Sequence, residues 1–307
     1  MFDHWYALDA GGHQIRLYDY QKQVEVEWPN VIAIQNDQVI ACAKEALEYI
    51  YTDQRKVQVR YPLEQGHLIC DMSTIILKMI GSISSKSIFR PSFMVSVPTD
   101  LSEQDKQKWE ECLAQVGAKK MELISNMEIL QTEKPCFMIH SGHTYTELGI
   151  CAHGHLMAHK TIHFAGKQID ESIQKIVAQK TRCLITPEDA CALKEAASNA
   201  FWEQKNPVLS CVGLDRFQKY VRVQIYAMDL WPCMEATFRQ IVLWAKQYYG
   251  SLGKEYRGYV EEQGILLSGG LASCFGLRQL LQQGLDCRVF CTNEPKYDMI
   301  EALKAWR

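Results

Sequence analysis

Residues 138–150 read MIHSGHTYTELGI. An apolar strand leads into a small, hydroxyl-bearing turn and a second apolar strand leaves it, the pattern of a β-hairpin with a tight tip. The backbone amides of such a turn can cradle a phosphate. Yet this turn carries His140 and His143, imidazoles where a loop that handles a metal-bound phosphate normally offers a carboxylate and glycines. Two more glycine turns follow apolar strands in the same way: Asp9-Ala10-Gly11-Gly12 after an N-terminal strand, and Ser268-Gly269-Gly270 after Ile265-Leu266-Leu267.

Working outward from these turns, strand-like and helix-like segments alternate along the whole chain, which argues for an α/β architecture. WYALDA and IRLYDY form a hairpin about Gly11-Gly12. A second hairpin turns at Asn36-Asp37, and a helix follows whose Ala43, Ala46, Leu47 and Ile50 share a face. STIILKMIGSI is helical and FMVSV a buried strand. Ser102 caps a helix that runs through Trp109 and Leu113 and stops at Gly117. From Cys136 the plan starts again: a hairpin from Phe137 to Phe164, a helix with Ile169, Ile173 and Val177 on one stripe, and a helix opened by Thr186-Pro187. Strands VLSCVGL and YVRVQIYAM precede a long helix through Trp244. Two halves of like plan predict a duplicated domain, each half a mixed sheet flanked by helices, with a ligand cleft between them. The boundaries expected are 1–135 and 136–307.

Hydrophobic residues make up 47% of the chain and charged residues 22%, with a formal net charge of -3. That balance suits a folded protein and gives no electrostatic reason to expect nucleic-acid binding. No segment approaches the ~18 apolar residues of a membrane span, and the N-terminus has no basic, export-type lead, so a cytoplasmic location is expected. The twelve cysteines are scattered with no CxxC, which predicts buried free thiols rather than disulfides or a metal site. Six of the nine histidines fall between His140 and His163. Their spacing matches no zinc motif, so no metal site is assigned to them. Trp109, Trp202, Trp231 and Trp244 are expected in the core, as is Cys274.

The order of the three glycine turns suits an actin-like ATPase fold, and the chain resembles the bacterial actin family MreB along nearly its whole length. WPNVIAIQNDQVIACAKEA resembles that family's small subdomain, and YPLEQGHLICD its "RPLKDGVIAD" segment, which implies small subdomains at about 30–70 in the first half and about 181–250 in the second. HFAGKQIDESI is similar to "VAGDEMDEAI", and ILLSGGLASCFGL to "LTGGGALLRGL". The resemblance implies an ATP site built from Asp9, Gly11, Gly12, His13 and Gln14, from Gly142, His143, Thr144 and Tyr145, and from Lys194, Gly269, Gly270, Leu271, Ala272 and Ser273.

The departures fall at the chemistry. The family's first loop reads Asp-x-Gly-Thr-x-Asn; here Asp9 and the turn persist without the threonine and asparagine. "DIGGGTTE" becomes HSGHTYTE, so His140 replaces the aspartate that holds magnesium through water, while His143 and Thr144 replace glycines and Tyr145 crowds the same cradle. The family's Glu-Glu-Pro aligns with Ser125, Asn126 and Met127. Asparagine can orient a water but is no general base. Leu271 takes a glycine's place and Ala196 a glutamate's. Mg²⁺ prefers hard oxygen ligands, so the resemblance implies a remnant ATP site with little hold on Mg²⁺.

One family feature is kept: adjacent large apolar residues in a membrane-inserting loop, here Ile88 and Phe89 between Lys86 and Arg90. The resemblance therefore implies a protein that assembles with itself or a related actin-like protein on the inner membrane face, to maintain cell shape, with weak or absent ATP hydrolysis. The alternatives are a working ATPase of the actin and sugar-kinase superfamily that uses His140, Asn126 and Glu147 in place of the missing acids, and a nucleotide-free actin-fold scaffold of a membrane machine.

Overall fold

The computed structural model describes residues 3–53, 55–83, 90–132 and 134–307. The chain forms two compact units, one of Met1–Thr132, Gly154–Thr161 and Tyr297–Arg307, the other of Glu133–His153 and Ile162–Lys296. Ile88 and Phe89 lie outside the described residues.

The main sheet of the first unit runs in the order Lys120–Ser125, Pro91–Val97, His4–Ala10, Gln14–Asp19, Val24–Pro29. The last three strands are an antiparallel meander, and the first two join in parallel, as helical connections require. Tyr6, Leu8, Ile15, Leu17, Phe93 and Val95 pack with Ile75, Ile76 and Met79 of helix Ser73–Ile83 and with Trp109 and Leu113 of helix Glu103–Gln115. By strand alternation Trp5, Ala7 and Asp9 turn to the opposite face. There the C-terminal helix Asp298–Ala305 packs on His4–Ala10 and buries Met299, Ile300 and Leu303. Cover on both faces explains why the first strand is apolar almost throughout rather than alternating.

Local chemistry sets the boundaries. Ser102 Oγ accepts from the Asp105 amide at 3.2 Å and caps helix Glu103–Gln115, and the chain leaves at Gly117 with φ +83°. Strands Ile32–Gln35 and Gln38–Cys42 turn at Asn36-Asp37, both left-handed, and Gln58–Arg60 completes a three-stranded sheet. The helix expected through Ile50 is confined to Lys44–Leu47. Ala43, with φ +53°, is tied by its amide to the Val31 carbonyl. The sequence Tyr49-Ile50-Tyr51-Thr52, aromatic and β-branched, continues as turns because such residues lose rotamer freedom in a helix.

The second unit repeats the plan. Strand Cys136–Ser141 lies antiparallel to Thr146–Ala152 and parallel to Ile265–Ser268, which is followed by Val289–Phe290. The helices are Gly166–Thr181, Pro187–Trp202, Trp231–Ser251, Lys254–Gln263 and Leu277–Leu285. Thr186 Oγ1 accepts from the Asp189 amide at 2.9 Å and Pro187 takes the first turn. Strands Val208–Leu214 and Tyr220–Tyr226 make a separate two-stranded sheet.

The hairpin expected from Phe137 to Phe164 is instead a run of three strands, since His155–Ile162 begins after a left-handed turn at His153-Gly154. Trp109 is buried as expected, but Trp202 is 50% exposed. It ends helix Pro187–Trp202, beyond the turns that face the core, and sets its edge against Phe275. None of the twelve cysteines is in a disulfide, and burial pushes the Cys274 thiol up to about 11, so it is an inert core residue.

Candidate functional site

The first loop connects strands His4–Ala10 and Gln14–Asp19. Only a residue without a side chain fits at position 11, where a Cβ would meet the Gln14 carbonyl oxygen at 2.7 Å. Asn30, fully buried, fixes the turn: its Nδ2 donates to the Gly11 carbonyl at 2.8 Å and its amide to the His13 carbonyl at 2.9 Å. Gly12 is buried, and Gln14 Nε2 lies 3.3 Å from His13 Nδ1.

Asp9 does not present a free carboxylate. In the sheet register it stands opposite Arg16, Arg16 opposite Glu27, and Ser96 beside Asp9 on the parallel strand, so all four side chains share one face. Arg16 Nη1 donates to Asp9 Oδ2 at 2.9 Å and Nη2 to Glu27 Oε1 at 2.8 Å. Ser96 Oγ donates to Asp9 Oδ1 at 3.2 Å, and Tyr297 Oη to Glu27 Oε2 at 3.1 Å, while the Tyr297 ring centre lies 4.9 Å from the guanidinium carbon. Burial works against the Arg16 charge, but Asp9 and Glu27 outweigh it and raise its pKa.

The residues around Asp9 do not fit a magnesium ion. Both Asp9 oxygens already have donors, one of them the positively charged Arg16 guanidinium, which disfavours a second cation on the same carboxylate. His140 offers no alternative: its Nδ1 lies 3.2 Å from Ser268 Oγ, and imidazole nitrogen is not a ligand that Mg²⁺ favours. Glu147, opposite His140 in register, is buried within the sheet.

In the second unit the loop Gly142–Tyr145 closes on itself through the Gly142 amide and Tyr145 carbonyl at 3.1 Å. The first amides of helix Gly166–Thr181 are spent on this loop, Gly166 to the Gly142 carbonyl at 3.2 Å and Lys167 to that of His143 at 2.7 Å. Thr144 is buried and its hydroxyl has no hydrogen-bond partner among the described residues, a group that an incoming ligand oxygen could satisfy. A Cβ at Gly166 would lie 3.3 Å from the Gly142 oxygen, 3.4 Å from Lys194 Nζ and 3.5 Å from Leu271 Cδ2. These three expected site residues are thus brought together around Gly166, with the Leu271 side chain buried among them.

Lys194 contacts both oxygens of Asp170, at 2.8 and 3.1 Å, and His143 Nε2 lies 3.3 Å from Asp170 Oδ2. Burial alone would raise the Asp170 pKa, but Lys194 and His143 hold it below the ordinary carboxylate value. Gly269 presses against Ser141, Gly270 is exposed, and Ala272 and Ser273 complete a short 3-10 turn, Gly270–Ser273. Ser125, Asn126 and Met127 bring no carboxylate: Ser125 caps the short helix Asn126–Ile129, and Asn126 is buried.

The sequence reading missed Arg16, Glu27, Ser96, Gly166 and Asp170. A register count about the Gly11-Gly12 turn pairs Asp9 with Arg16. Asp170 stands in the quoted segment HFAGKQIDESI, but nothing local couples it to Lys194, twenty-four residues away.

Two units of like plan, each opening on a strand, a glycine turn and an antiparallel strand, define an actin-like fold. MreB5 of Spiroplasma citri bound to AMPPNP superposes with a TM-score of 0.85 at 15% identity, covering 100% of this chain and 96% of that one. MamK in a double helical filament gives 0.77 at 20% identity, covering 99% and 98%. The family model for MreB/Mbl protein matches residues 4–306, and the chain belongs to the MreB/Mbl family. The cell shape-determining protein Mbl of Bacillus subtilis (strain 168) is 22% identical over 311 residues, 96% of this chain and 93% of Mbl.

Proposed function

We propose that this protein is a cell shape-determining filament protein that joins its own or a related actin-like polymer on the inner membrane face, binds ATP weakly, and hydrolyses it poorly. The observation that carries this reading is a family match over residues 4–306 in which the phosphate-loop acid, Asp9, is taken up by Arg16. The relative named Mbl determines cell shape, and MamK forms a double helical filament, which supports assembly. MreB5 bound to AMPPNP supports a nucleotide in this fold, and the unpartnered Thr144 hydroxyl offers it a contact. Hydrolysis is weakened because Ser125-Asn126-Met127 supplies no carboxylate to accept a proton from water.

Among the described residues no helix is long and apolar enough to cross a membrane. Attachment falls to Ile88 and Phe89, each contributing roughly 1.5–3 kcal/mol when buried in lipid. One subunit would detach readily, whereas a filament sums many such anchors.

Pelleting of the full chain across a concentration series, with ATP and with anionic liposomes, tests this reading. The expected result is concentration-dependent sedimentation, alone or with a co-expressed MreB-type partner, and phosphate release close to background. Ile88→Asp with Phe89→Asp should abolish liposome pelleting and leave the chain folded. A protein that stays monomeric and enters no actin-like filament would sink the assembly claim, and brisk Mg²⁺-dependent phosphate release would sink the weak-hydrolysis claim.

A further inference from the structure

The row Ser96, Asp9, Arg16, Glu27 crosses four adjacent strands at one level of the sheet. One guanidinium forks between two carboxylates that belong to different strands, and all four carboxylate oxygens have a donor: Ser96 and Arg16 on Asp9, Arg16 and Tyr297 on Glu27. Bridging two acids at one point is also what a divalent cation does. Glu27 keeps 29% of its side chain exposed, whereas Arg16 and Asp9 keep 9% and 11%, so solvent reaches the row from the Glu27 end and the arginine fills the space between the two acids.

We propose that the Arg16 guanidinium is a built-in cation holding the place a divalent metal would take between Asp9 and Glu27, so that the first phosphate loop is charge-balanced without metal. The inference rests on reading Asp9–Gln14 as the loop that faces phosphate. Arginine does not deprotonate in proteins, so no change of pH vacates the position. A metal ion could enter only by breaking two charge-assisted hydrogen bonds, the one to Asp9 buried and the one to Glu27 partly so, with the displaced guanidinium still tethered close by.

Titration of the full chain with Mn²⁺ alone, followed by the paramagnetic resonance of the free ion, tests this. Wild type should retain no Mn²⁺ that Asp9→Asn removes. Arg16→Met should gain one bound ion per chain, and Arg16→Met combined with Asp9→Asn should lose it again. Arg16→Gln is the second uncharged variant if Arg16→Met fails to fold, and circular dichroism reports folding in each case. Mn²⁺ bound by wild type and lost in Asp9→Asn would overturn the proposal, as would folded uncharged variants that gain nothing. ATP titration with Mg²⁺ and with EDTA separates the underlying reading: wild-type affinities should agree, and a preference of about tenfold or more for Mg·ATP would count against the built-in cation. No ATP binding under either condition would remove the phosphate reading, while the Mn²⁺ result would still decide the cation.

Discussion

Asp170 and Lys194 illustrate how a residue expected to touch ligand can be committed inward. Both side chains are almost fully buried, 3% and 6% exposed, and such a pair is strongly destabilising to break because it strands a charge. Lys194→Met should cost about 3–5 kcal/mol at neutral pH. The pH dependence has a definite sign. Because the folded Asp170 pKa lies below its ordinary value near ~3.9, its stabilising contribution is complete above that value and is lost as pH falls through the lower, folded one. Without Lys194, burial pushes the carboxyl upward and this dependence is lost or reversed. Urea midpoints of both proteins measured from about pH 3 to pH 7 should therefore converge toward the acid end, and parallel profiles would reject the assignment.

At the scale of elements, the glycine turns do different jobs that their shared sequence pattern conceals. Gly269 has φ +89° and ψ 172°, and a Cβ there would meet the Ser141 carbonyl oxygen at 2.4 Å, whereas a Cβ at Gly270 would have nothing within 4 Å among the described residues beyond its chain neighbours. The first position joins strand Ile265–Ser268 closely to the end of strand Cys136–Ser141 in a backbone region open to glycine almost alone. Gly269→Ala should cost more than ~2 kcal/mol and Gly270→Ala less than about 0.5 kcal/mol. Chemical denaturation of the two variants checks this, and equal effects would contradict it. The element pattern itself was largely legible: Ser102, Thr186-Pro187 and Gly117 marked helix ends through local hydrogen bonding and φ preference. The short helix at Lys44–Leu47 and the exposed Trp202 were not legible, because periodicity reports a face without reporting what covers it.

For the whole molecule, the return of residues 297–307 to the first unit is decisive. Helix Asp298–Ala305 buries Met299, Ile300 and Leu303 on the sheet face that carries Asp9 and Arg16; Tyr20 Oη donates to the Leu303 carbonyl, and Lys304 pairs with Glu25. Three apolar side chains at roughly 1.5–3 kcal/mol each amount to a large part of a typical stability margin. Truncation before Tyr297 should lower the melting temperature sharply and expose Trp5 to quenchers, since Arg307 now lies over its ring at 4.2 Å. A truncated chain that melts as the full chain does would show that the first unit is complete without its last helix.

The sequence by itself determined the order of strands and turns, the caps, the duplication of plan and the family resemblance, because each is written in short-range hydrogen bonding, backbone preference or hydrophobic period. Only the tertiary structure decided what became of the acids and bases that remain. Asp9 meets Arg16 and Glu27 through strand register, and Lys194 meets Asp170 through the packing of two helices. Whether a charge is free or neutralised depends on partners within about 4 Å, and the fold, not adjacency along the chain, supplies those partners.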